Sequence, residues 1–114
     1  MFDVFLAIAT ISSSQGDELA PTYENTVRCA GLARLVEDAF REFNENDVGD
    51  YEAFHGALMT LQRKAGELGA EVGIAGPIVA REIESRRDAE RAASRGGHFP
   101  RQDFLKCLSL ASRL

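Results

Sequence analysis

Apolar side chains recur at steps of three and four through most of the chain, and the places where this rhythm stops divide it into five segments. Met1 to Ile11 is apolar except for Asp3 and Thr10. Phe2, Phe5, Ile8 and Ile11 fall at helical spacing there, widened by Val4 and Leu6, which predicts a buried helix over 2–12. Ser12 to Pro21 is polar, is punctuated by Gly16 and Pro21, and reads as a linker. From about Thr22 to Phe43, one stripe holds Cys29, Leu32, Ala33, Val36, Phe40 and Phe43, while Arg34, Glu37, Asp38, Arg41 and Glu42 point elsewhere. Asn44 to Gly49 reads as a turn.

The cleanest stripe follows: Tyr51, Phe54, Leu58, Leu61, Ala65 and Leu68. Asp50 suits its N-cap, Glu52 its first turn, and Gly69 a left-handed stop. Gly56 leaves room for another helix to come close. After a connector over 70–76, Pro77 fits the first position of a helix running to about Arg95. Ile78, Val79 and Ile83 are its apolar part. The remainder, ESRRDAERAASR, is charged or small all round, which predicts a solvated extension or a surface awaiting a partner. A turn over 95–99 then leads to Pro100 and a last helix with Phe104, Cys107, Leu108, Ala111 and Leu114 on its stripe.

No run reads as a strand. The expected fold is all-α, a single domain over 1–114. It is a compact orthogonal bundle of about five helices, with two helix–turn–helix pairs after an apolar N-terminal helix. The 114 residues and 45% hydrophobic content suit one core, built without tryptophan.

Charge adds an asymmetry to this picture. Residues 1–76 carry 13 acidic and 5 basic side chains (net −8), and residues 77–114 carry 5 acidic and 8 basic (net +3). Acid concentrates in Glu37, Asp38, Glu42, Glu45, Asp47, Asp50 and Glu52. Arginine concentrates in Arg81, Arg86, Arg87, Arg91 and Arg95, interleaved with Glu84, Asp88 and Glu90. The plain reading of both is a solvated helix face whose charges pair locally. The functional reading is a pair of docking surfaces, with Glu45, Asp47, Asp50, Glu52, Arg86, Arg87, Arg91 and Arg95 as candidate partner-binding residues. Direct contact with nucleic acid is not expected from a chain of net charge −5 whose arginines are diluted by acids.

Cys29 and Cys107 both lie on apolar stripes and read as small buried hydrophobes. They would pair only where their two helices meet. The first eleven residues are too short for a membrane span, and Asp3 stands where an export leader carries a positive charge, so a cytoplasmic protein away from the membrane is expected.

Two turns share an outline. Gly49 precedes Tyr51 at the head of one helix, and Gly97 precedes Phe99 ahead of another. Glycine two residues before an apolar side chain, leading into a helix, resembles the second half of an EF-hand loop over roughly 27–66 and 80–113. The resemblance implies paired helix–loop–helix units. It does not carry calcium chemistry with it, because that needs six to eight oxygens and a closing carboxylate. The resemblance places Asn44, Asn46 and Val48 as early ligands and His55 as the closing one in the first loop. In the second it places Ala92, Ser94 and Gly96, with Asp103 at the end. The pattern is that of a degenerate, non-calcium-binding pair.

His55 and His98 lack neighbours at zinc spacing, no nucleophile sits beside a base, and no phosphate loop follows a strand. Neither catalysis nor a cofactor is therefore expected. The favoured reading is a non-enzymatic protein–protein interaction module or small regulator of bacterial or phage type, acting through charged helix surfaces on a protein partner or on a second copy. The alternatives are a metal-responsive EF-hand-like sensor and an acidic regulator of a nucleic-acid-binding complex.

Overall fold

A computed structural model describes residues 18–43 and 48–114 of the chain. It contains four helices there: α1 (Tyr23–Phe43), α2 (Val48–Glu71), α3 (Gly76–Ala93) and α4 (Arg101–Ser112). The described part is all-helical, as the periodicity predicts. The helix expected over 2–12 lies outside the described residues.

The starts of the helices follow local chemistry. Thr22 caps α1, its hydroxyl accepting from the Asn25 amide at 3.1 Å, and Glu24 sits in the first turn. Pro77 lies in the first turn of α3, where a missing N–H costs nothing. Pro100 stands just ahead of α4.

The ends of α2 differ from the sequence expectation. The helix begins at Val48, so Asp50 falls inside its first turn instead of capping it. Gly69 does not stop the helix. Its amide environment stays helical, and the chain turns at Gly73, which has φ +81°. The Ile74 amide donates to the Gly69 carbonyl at 2.8 Å and the Gly73 amide to Ala70 at 3.2 Å. This paired closure needs a left-handed residue four positions after Gly69. Gly69 is retained for a different reason: a Cβ there would lie 2.8 Å from Val79 Cγ2 and 3.2 Å from the Tyr23 ring.

The core draws on all four helices. Val27, Cys29, Ala30, Leu32 and Ala33 come from α1, and Leu58, Leu61 and Ala65 from α2. Val79 and Ile83 come from α3, and Phe104, Cys107 and Leu110 from α4. Phe40, Phe54, Phe104 and Phe99 form a chain of rings with centroids 5.1, 5.6 and 5.8 Å apart, tying α1 and α2 to α4. Thr26 is fully buried, and its hydroxyl donates back to carbonyls of the preceding turn.

Cys29 and Cys107 are joined by a disulfide spanning 78 residues, so they are not free thiols. Their stripes face each other, as pairing requires, because α4 folds back against α1. Among the described residues no helix is long and apolar enough to cross a membrane.

Candidate functional site

Part of the charge singled out above, Asp38 with Arg87 and Arg91, meets on the seam between α1 and α3. Tyr23 meets Glu82, Gly31 meets Arg86, and Asp38 meets Arg91, so the two helices run in the same direction. They approach closely at Gly31. A Cβ there would lie 2.8 Å from Arg86 Cβ and 2.9 Å from the Arg87 nitrogen. Gly56, the position expected to allow a close approach, has open space beside it. The segment Ala30–Gly31 with Ala33 is the sequence signal for the true crossing, a run of small residues inside an otherwise large-residue stripe.

Ion pairs fasten the helices on both sides of Gly31. Arg87 and Arg91 both reach Asp38 Oδ2, at 3.5 and 2.8 Å. Arg34 lies 3.2 Å from Glu84. Arg28 bridges two elements, contacting Glu90 of α3 at 3.3 Å and Asp103 of α4 at 2.7 Å. The Asp103 hydrogen bond raises the Arg28 pKa further, partly offset by burial. Each partly exposed pair is worth a few tenths to about 1 kcal/mol, and the set acts as a network. The charged second half of α3 is solvent-exposed along one side, as expected, and is tied to α1 along the other. Arg87 also pairs locally, with Glu84 at 3.6 Å and Asp88 at 3.2 Å.

The Tyr23 hydroxyl donates to Glu82 Oε1 at 2.5 Å. Burial first, and then the carboxylate it donates to, lift its pKa to about 12. Glu37 of the acidic stretch is buried, and its Oε2 lies 2.6 Å from His55 Nδ1, with Arg41 at 3.7 Å from Oε1. Glu37 and Asp38 thus serve internal contacts and are not part of an acidic outer face.

Glu45 and Asp47 lie outside the described residues. The backbone of Asp50 is in the first turn of α2, and Glu52 is exposed there. Of the candidate arginines, Arg87 is largely enclosed and Arg91 half-exposed, both on Asp38. Arg86 lies at the crossing and lines a shallow groove with Tyr23, Glu24, Val27, Glu82 and Ser85. Arg95 is exposed just beyond α3. On the opposite flank, Arg34, Ala80, Arg81, Glu84, Ser85 and Asp88 line a second open groove. Arg81, Arg86 and Arg95 have no ion pair among the described residues.

The EF-hand outline is also resolved in part. Asp103, the carboxylate that would close the second loop, is held by Arg28, and Phe99 packs on Phe104 of the helix that follows it. Among the described residues no group of three or more His, Cys, Asp or Glu side chains is placed to hold a metal ion. No protein-family model matches the chain, and no curated protein or solved structure matches it either.

Proposed function

We propose that this chain is a non-enzymatic protein-interaction module that offers the outward face of α3 to an acidic surface of a protein partner. The observation that carries the reading is the division of the arginines. Arg87 and Arg91 are turned to Asp38 and brace the helix, while Arg81 and Arg95 are exposed and have no ion pair among the described residues. Small side chains at Ala89, Ala92 and Ala93 leave that face low enough for a partner to approach closely. A helix braced along one side loses little conformational freedom when the other side is bound, which favours affinity. A second copy of the chain is an available partner through acids the seam does not engage, such as the exposed Glu52.

The test compares the unaltered chain with Arg81→Glu/Arg95→Glu, cross-linked in source cells and recovered by affinity tag. Sedimentation of the purified proteins is measured in parallel to detect self-association. The double variant should keep its helical content and lose the cross-linked partner, or the dimer, with the wild-type complex weakening as salt rises. Retention of the same complex by the variant would remove this face of α3 from the site.

A further inference from the structure

The Cys29–Cys107 disulfide lies in the core, apart from the outward face of α3. Both cysteines are essentially inaccessible, at 0% and 1% exposure, so neither sulfur is open to a reductant or an exchanging thiol in the folded state. A regulatory disulfide needs that access; a structural one does not. The bond joins the first described helix to the last across 78 residues. Closing a loop of that length in the unfolded chain shifts the folding equilibrium by about three orders of magnitude in the chain-entropy account.

The element it secures needs it. α4 has 12 residues, a length at which an isolated helix is marginal in water. Beyond the bond, α4 is held chiefly by Phe104, Leu110 and the Arg28–Asp103 pair. Because the sulfurs end up in the core, they must be oxidised before α4 closes over α1.

We infer that this chain matures by oxidative folding in an oxidising compartment outside the cytoplasm, taking its disulfide from a thiol–disulfide exchange partner while α4 is still undocked. In the exchange, the thiolate of one cysteine attacks the partner's disulfide, forming a mixed disulfide and releasing one partner thiolate. The second cysteine's thiolate then attacks the mixed disulfide. The Cys29–Cys107 bond forms and the partner leaves reduced by two electrons; its two thiolates take up two protons from solvent, replacing the two that the cysteines gave up on ionising. Reducing cytosol works against such a bond, and exported proteins retain it.

The deciding experiment traps thiols in source cells with acid, denatures the protein, alkylates it with a mass tag and separates the cytoplasmic from the exported fraction. The chain should be found in the exported fraction with no tagged cysteine. Loss of the exchange partner's activity should yield two tags and rapid proteolysis. A cytoplasmic chain bearing two tags would overturn the inference. In purified protein, Cys29→Ala/Cys107→Ala should lower the folding equilibrium constant by about a thousandfold. A double variant as stable as the oxidised protein would equally overturn it, and if the variant does not fold at all the thiol census still decides.

Discussion

Gly31 and Gly56 are both glycines inside helices, yet they have opposite meanings. At Gly31 the space a Cβ would need is taken by Arg86 Cβ and by the Arg87 backbone, which cannot rotate aside. Gly31→Val should therefore force α1 and α3 apart and cost about 1–3 kcal/mol, read as a lower denaturant midpoint. At Gly56 nothing stands within 4 Å. Gly56→Ala should stabilise by roughly 0.5–1 kcal/mol, by restricting the unfolded chain and improving helix propensity. Equal shifts of the same sign would contradict this account of the crossing. Tyr23 gives a pH signature. Its folded pKa of about 12 exceeds the ordinary 10, so the folded state holds the proton more tightly. The stability this provides is complete below pH 10 and is lost as pH rises towards 12. Tyr23→Phe should remove that alkaline slope and cost about 1 kcal/mol at neutral pH through the lost bond to Glu82. A phenolate absorbance titration of the wild type, set against the variant, reads the pKa directly.

At the scale of elements, the helices from about 22 onward were legible because their cores are periodic. Leu58, Leu61 and Ala65 are buried where the spacing puts them, as are Cys29, Leu32, Phe104 and Cys107. Helix ends were less so. Gly69 looks like a stop in sequence, but it is a contact glycine, and Gly73 makes the turn because the hydrogen bonds from Ile74 and Gly73 close the helix there. The second half of α3 is legible only in part: its exposure is visible in the sequence, its attachment to α1 is not. Apolar periodicity registers only apolar burial, whereas α3 beyond Ile83 is fixed by backbone approach at Gly31 and by charge pairs with α1. Local i,i+4 pairing within α3 is the obvious sequence reading of its charges, and no local rule identifies Asp38, 49 residues before Arg87, as their partner. Removing that partner should loosen α3 selectively: Asp38→Asn should speed amide exchange in the last two turns of α3 more than in α2.

Across the whole molecule, the division between an acidic first part and a basic second part does not become two opposed faces. Asp38 on α1 takes two arginines of α3, while Arg28 and Arg34 on α1 take Glu90 and Glu84 in return. Much of the asymmetry is answered across the seam, while Arg81 and Arg95 are among the positive charges that stay outward. The disulfide was invisible at sequence level for a comparable reason: two cysteines 78 residues apart say nothing about contact until the path of the chain brings α4 back to α1. The central claim is that the arginines of this region divide: Arg87 and Arg91 face α1 and hold the fold, Arg86 lies at the crossing, and Arg81 with Arg95 just beyond α3 are exposed and do not hold it. Thermal unfolding of two charge-reversal variants tests it most directly. Arg87→Glu/Arg91→Glu should lower Tm by about 4–8 °C for each kcal/mol of network lost, with a loss of about 1–2 kcal/mol expected from repulsion at Asp38. Arg81→Glu/Arg95→Glu should melt within about 2–4 °C of the wild type, as surface changes away from such contacts do. Equal melting temperatures for the two variants, or a larger drop for Arg81→Glu/Arg95→Glu, would contradict the claim.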